Sequence, residues 1–433
     1  MKKCFLALVV VLCIGLGFVS CGGGTKSGAP SGLKNRVLAA QGVTATLSLG
    51  GLVLVNGQND TLVRAAPINT GSSPDLMALS PSRNVLAAFD SGSNTVYGVD
   101  TTKESVIGSV KLPGPTSSLV VPTAVSVAYA AVPTAAISGF DFLGAVEVLF
   151  FTRNVLSTIA VSHAQTVVSN TDGSQLLVFS NDSDVVTVLT PGLAVPPVDM
   201  SCYTNPPNAV CAIVPGFDRP VNAVINGTTA YILNCGPQCG GTQASVMVFD
   251  LSTLAITKTI PVDAATIAWL SESTLYVAGT SPLAGNHTCT NQTTKATICG
   301  RLDIVNLDTG TVTARVAITD GYHNRMDMTT NGQLFIGARD CTNVGNVNNP
   351  NGEVRGCLSI YKTLGGSVIF PPDNGDVNGL QSFSTRTVEY VAEGGFLRVY
   401  DINKDILLIN NFIPQGHIPV IGYVGDIKSI DFF

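Results

Sequence analysis

The sequence predicts an all-β fold, a β-propeller of four-stranded blades closed into a ring. Three observations carry that prediction. Short runs rich in Val, Ile, Thr and Tyr, bounded by Gly, Asn, Asp and Pro, recur along the chain and read as strands and turns. No apolar stripe of helical period runs long enough to mark a helix. A four-strand unit recurs at intervals of roughly forty to sixty residues, the spacing of propeller blades.

The unit is visible in residues 84–100 (NVLAAFDSGSNTVYGVD), 245–260 (SVMVFDLSTLAITKTI) and 395–401 (GFLRVYD). It comprises an apolar strand, a turn, a second strand ending near an aspartate, then a Thr/Ser-rich turn and a third strand. A further apolar strand leads into each unit, as in PDLMALSP (74–81) and PVNAVI (220–225). These lead-in strands begin near residues 75, 117, 163, 220, 263, 321 and 376. The first strands, around 36–40, 52–55 and 61–66, lack a lead-in, whereas the C-terminal GDIKSIDFF (425–433) looks like a lead-in with nothing after it. Pairing the C-terminal strand with the N-terminal strands supplies an eighth blade and leaves no open sheet edge. Eight blades are therefore expected, with seven as the alternative if 117–161 is not a blade of its own.

AYILN (230–234), LYVAG (275–279) and LFIGA (334–338), followed by VMVFD, LDIVN and LSIYK, resemble the repeats of the YVTN family of β-propellers, although the tetrapeptide itself is absent. The resemblance spans nearly the whole chain after residue 34 and implies a radial scaffold found in many exported bacterial proteins. It implies little about chemistry, because one fold hosts many functions.

Residues 1–20 read as a secretion signal: Lys2 and Lys3, then an uncharged apolar run from Phe5 to Phe18. That run is shorter than the ~20 apolar residues of a spanning helix. Phe18-Val19-Ser20-Cys21 resembles the lipobox of bacterial lipoproteins, with Phe18 where leucine is commonest. The resemblance implies cleavage before Cys21, lipidation of its thiol and a membrane partner through that lipid anchor. Residues 21–34 then form a flexible tether, and 35–433 a single propeller domain. Gly22 stands where aspartate would signal inner-membrane retention, so an exported protein at the outer membrane is expected, periplasmic or surface-exposed. Charged residues make up 12% of the chain and the net charge is −6. Without basic clusters, nucleic acid is excluded as a partner.

Of the 11 cysteines, Cys4 and Cys13 lie in the signal. Eight remain for disulfides, Cys202, Cys211, Cys235, Cys239, Cys289, Cys299, Cys341 and Cys357, which suit an oxidising compartment. Eight cysteines permit many connectivities. Pairing of neighbours is favoured because each couple sits in one short polar loop. Metal binding through CGPQC (235–239) would need a second ligand pair at zinc spacing, which the sequence lacks. His163, His287, His323 and His417 show no ligand spacing either, and no cofactor motif is present, so neither metal nor cofactor is expected.

The pairs 235/239, 289/299 and 341/357 fall in second-to-third-strand loops of successive blades and 202/211 on the opposite face. One sector of one face thus carries long, stapled loops. Beneath it enters GYHNRMDM (321–328), in which His323, Arg325 and Asp327 alternate and should share one side of a strand. One reading places them in the axial funnel against a polar or anionic ligand, with Asp218, Arg219 and Asp263. Another makes Arg325 and Asp327 an inter-blade ion pair and His323 a turn residue. The motifs point away from an enzyme. The leading expectation is a non-catalytic binding scaffold that meets an envelope protein or polymer. The alternative is a propeller enzyme of lactonase-like or dehydrogenase-like type, with His323 as general base, Arg325 steadying an oxyanion and Asp263 as the acid.

Overall fold

The computed structural model of the protein describes residues 30–43, 50–63, 66–122, 126–191, 200–201, 211–282, 298–341, 356–371 and 375–431. The strands assort into eight sheets, each built on four antiparallel strands. Blade 1 runs outward from the axis as Tyr423–Ser429, Arg36–Gly42, Gly51–Asn56 and Thr61–Leu62. The innermost strands of blades 2 to 8 are Pro74–Leu79, Ser118–Val120, Ala164–Ser169, Pro220–Asn226, Ile267–Ser271, Tyr322–Met328 and Val377–Ser382. Residues 118–160 form a complete blade, so the count is eight. Blade 3 carries an extra outer strand, Met200–Ser201, parallel to Val155–Ala160.

The ring closes as expected, with Val37 opposite Ser429 and Gly42 opposite Tyr423. Arg36 locks the closure: its Nε and Nη2 donate to the Asp431 carboxylate at 2.9 and 2.6 Å, and its Nη1 reaches Glu104 at 3.0 Å. There is no central core. Eight apolar clusters fill the eight gaps between adjacent blades, from Val37, Tyr390 and Ile427 between blades 8 and 1 to Phe335, Leu358 and Val391 between blades 7 and 8. Both faces of a blade are therefore covered. A strand such as Val85–Asp90 is buried throughout and has no polar face to alternate with.

The aspartate that ends the repeating unit has a local task. Asp100, Asp250 and Asp401 each accept backbone N–H groups from the next two or three residues, tying the turn between third and outer strands. Those turns and the first-to-second-strand hairpins lie on one face, here the lower. The second-to-third-strand loops and the inter-blade connections lie on the upper.

A second device recurs at the axis. The innermost strands of blades 2, 4, 5, 7 and 8 each carry one extra residue near their upper end: Asp75, Gln165, Val221, Asn324 and Asn378. In blade 1 the extra residue is Gly425. Such bulges leave one residue unpaired and re-aim the side chains on either side of it.

Candidate functional site in the axial funnel

The bulges build a polar mouth. A cavity of about 620 Å³ occupies the upper axis, lined by Asp75, Gln165, Asn324, Arg325, Asp426 and Lys428 from the innermost strands and by Arg339 and Asp340 from the end of blade 7's second strand, Gln333–Arg339. At the lower end a second cavity of about 470 Å³ is lined mainly by apolar groups, among them Leu79, Leu119, Val121 and Val167. The axis is thus polar above and apolar below.

Several charges at the mouth are already spoken for. Asp426 accepts the Met77 N–H at 2.8 Å and the Lys428 ammonium at 3.1 Å. Arg325 donates from Nε to the Asn378 carbonyl at 2.6 Å and from Nη1 to the Asn324 carbonyl at 3.0 Å. Asp75 and Arg339 differ. Asp75 Oδ1, Asn324 Oδ1 and Arg339 Nε are buried and have no hydrogen-bond partner among the described residues. Burial pushes the Asp75 carboxyl above its usual range, with a hydrogen bond to Ser91 and then the positive charge of Arg339 pulling the other way. Gly425 is required at the adjoining strand, because a Cβ there would stand 2.8 Å from Asp75 Cα.

The residues singled out from the sequence do not assemble as one site. Alternation along 322–328 is broken at Asn324, so His323 pairs across to Ala338 while Arg325 pairs to Gly337. His323 consequently turns toward blade 6, and Arg325 and Asp327 toward blade 8. His323 is fully buried, shares a 2.8 Å hydrogen bond between Nε2 and the Thr319 carbonyl, and is pushed by burial down to about 4. Although it borders the axial cavity, its ring is enclosed and burial disfavours its protonated form, which argues against it as the base. Arg325 and Asp327 do not pair with each other. Arg325 grips the Asn378 carbonyl, and Asp327 accepts the Ser382 N–H at 2.6 Å, so each ties blade 7 to the backbone of blade 8.

Asp263 lies apart, facing Arg315 at 3.2 Å. Asp218 folds the 236–243 turn by accepting from the Thr242 and Gln243 N–H groups, and Arg219 faces Asp184 at 3.9 Å. Of the sequence-stated set, only His323 and Arg325 border the axial cavity. Asp75, Arg339 and Lys428 were missed. Asp75 and Lys428 sit in PDLMALSP and GDIKSIDFF, segments read for strand pattern alone, and the signal that could have found them is a charge within an otherwise apolar innermost strand.

The stapled loops stand on the upper face. Cys235–Cys239 and Cys341–Cys357 are disulfides with Cα–Cα distances of 5.6 and 5.7 Å. Cys211 and Cys299 are also disulfide-bonded. Cys202 and Cys289, the partners expected for them, lie outside the described residues, as do Cys21 and residues 1–29. The Cys235–Cys239 turn, Gly236–Cys239, is a short 3-10 helix whose Gln238 accepts the Thr280 N–H at 2.8 Å. A cavity of about 370 Å³ opens beside it, lined by Pro237, Thr280, Pro282, Asp320, Tyr322 and Asp340. Among the described residues no group of three or more His, Cys, Asp or Glu side chains could hold a metal ion, and no helix is long and apolar enough to cross a membrane.

No protein-family model and no curated protein matches the chain in sequence. Solved structures match in fold. The chain is similar to dihydro-heme d1 dehydrogenase NirN in complex with DHE, at 12% identity over 95% of this chain and 78% of that one, with a TM-score of 0.62. It is also similar to a protein from Bacteroides fragilis provisionally named a 6-phosphogluconolactonase, at 8% identity over 93% and 99% of the two chains, TM-score 0.50. The Dos1 propeller matches at 11% identity over 83% and 84%, TM-score 0.50. At such identities the likeness is one of fold. The expectation of a non-catalytic scaffold is nonetheless corrected. Rings superposable on this one include proteins named as a dehydrogenase and as a lactonase, and the upper funnel is lined by acid and guanidinium groups in place of an apolar plug.

Proposed function

We propose that the chain is a propeller enzyme whose site is the upper axial cavity, hydrolysing a small lactone or ester. The observation that carries this reading is that Asp75 and Arg339, each with one buried polar atom that has no partner among the described residues, line the same cavity. A carboxylate raised by burial is a better base than one in water, and a guanidinium beside it can stabilise a developing oxyanion. Asp75 takes a proton from water, whose oxygen attacks the lactone carbonyl carbon. The carbonyl oxygen, now anionic, sits against Arg339. On collapse the carbonyl re-forms, the ring C–O bond breaks, and the leaving oxygen takes its proton from the Asp75 carboxyl. The provisional lactonase name of a structural neighbour agrees with this chemistry.

Hydrolysis of a panel of γ- and δ-lactones, followed by pH-stat, tests the reading. Asp75→Asn should lower kcat by about a hundredfold or more and Arg339→Met by a similar factor, with the melting temperature of each variant showing that the ring is intact. Absence of lactone hydrolysis, or full activity in Asp75→Asn, overturns it. A second reading has the more similar neighbour on its side: in a dehydrogenase-type reaction Asp75 would take the proton of a substrate hydroxyl as its carbon is oxidised, with electrons passing to an external acceptor. Reduction of a dye acceptor by candidate alcohols, without lactone hydrolysis, separates the two.

We further propose that the ring is a YVTN-type propeller exported and lipid-anchored through Cys21. The first described residues join it on the lower face, where Ser31 Oγ donates to Glu104 at 2.6 Å and Arg36 meets Asp431. Metabolic labelling with palmitate, lost in Cys21→Ala, checks the anchor.

A further inference from the structure

The axial cavity has an annex. The pocket of about 370 Å³ between blades 5, 6 and 7 shares Tyr322 and Asp340 with the cavity of about 620 Å³, and its volume falls in the range of small-molecule sites. Tyr322 is the common wall. It is the first residue of blade 7's innermost strand and half exposed at 50%, an expensive way to leave an aromatic ring unless something covers it. Arg325 and Arg339 line the axial cavity with it, so Tyr322 borders both the guanidinium-bearing space and the annex.

The annex is built rigidly. Pro237 and Pro282 supply apolar walls with fixed backbones, and the Cys235–Cys239 staple holds Gln238 on the Thr280 N–H. Thr280 Oγ donates to the Gly321 carbonyl at 2.7 Å. Gly321 itself has φ +104°, and a Cβ on it would stand 2.5 Å from the Arg339 carbonyl oxygen. Only glycine lets the chain set Tyr322 beside Arg339 at that point.

We infer that the ligand of this site has two parts: a monoanionic head held by Arg339 in the axial cavity, and a flat apolar ring seated on Tyr322 between Pro237 and Pro282. The inference rests on the axial cavity being the active site and names the class of substrate it takes. A single negative charge fits because Asp75 and Asp340 line the same space and oppose a second one. A planar tail fits because Pro237, Pro282 and the Tyr322 ring offer flat surface, beside the polar Gln238, Thr280, Asp320 and Asp340 of the same pocket.

Isothermal titration of the whole ring with 2-naphthalenesulfonate and with methanesulfonate tests this without any turnover. The naphthyl compound should bind about tenfold more tightly or better, and Arg339→Met should weaken both probes. Tyr322→Ala and Pro237→Trp should each weaken the naphthyl compound about tenfold while leaving methanesulfonate unchanged. Should Pro237→Trp fail to fold, Tyr322→Ala alone decides, since its ring is half in solvent. Equal affinity for the two probes, or a naphthyl affinity indifferent to Tyr322→Ala, overturns the annex even if lactones are hydrolysed. Naphthyl binding with the expected variant pattern, but no lactone hydrolysis, leaves the two-part site standing and removes the catalytic reading alone.

Discussion

Acid should weaken this ring through one imidazole. His323 is wholly enclosed, its Nε2 engaged with the Thr319 carbonyl, and burial lowers it from 6.5 to about 4. Its packed neighbours Thr266, Thr319 and Ala338 carry no charge that could compensate a proton. Between those two pH values the unfolded chain binds a proton that the folded ring refuses, so stability is intact above pH 6.5 and drains away as pH falls. A shift of that size at 1.36 kcal/mol per unit corresponds to about 3 kcal/mol lost on reaching pH 4. The perturbation is His323→Gln, which keeps an amide donor for Thr319 but cannot titrate. Urea unfolding of both proteins from pH 7.5 to pH 4 gives the difference curve, in which every other titrating group cancels. The native protein should be the more stable at pH 7.5 by the packing lost in the variant, and that advantage should shrink by about 3 kcal/mol by pH 4. A difference that stays flat across the range would falsify the burial of His323 as a neutral ring.

Three further outcomes are expected. Glu389 is buried between blades 7 and 8, its carboxyl raised well above the usual range first by burial and then by the charge of Asp327. The fold therefore holds a proton the unfolded chain releases, so native stability should fall as pH rises above 4.5, and Glu389→Gln should flatten that fall in pH-dependent melts. Asp431→Asn strips the carboxylate from the nearly buried Arg36 at the ring closure and should cost about 3 kcal/mol by chemical denaturation, with a silent variant counting against the closure as a stabilising lock. Reduction should remove about 2 kcal/mol for the Cys235–Cys239 loop and about 3 for Cys341–Cys357, read as a drop in melting temperature with the β signature retained.

The ring was legible because each blade repeats a local pattern. The lead-in strands start within about a residue of where the apolar runs place them, except in blade 6, where a start near 263 becomes Ile267 because Val262–Thr266 is spent on the connection over the upper face. The GDIKSIDFF segment declared itself by lacking followers. The site was not legible for the same reason. His323, Arg325 and Asp327 look coplanar when counted by twos, and one bulge at Asn324 sends the histidine to the opposite blade. A bulge belongs to the pairing of two strands and leaves no mark in either strand alone. Arg325 is a good candidate by type, yet its Nε holds blade 8's backbone at Asn378 and its Nη1 the Asn324 carbonyl of its own strand.

What the sequence by itself determined is the all-β ring, its eightfold count and the way its ends meet, because alternation, turn residues and repeat spacing are properties of neighbours along the chain. The tertiary structure alone decided which charges go unanswered. Asp75 in blade 2 and Arg339 in blade 7 line one cavity only because the closed circle brings their blades to a common axis.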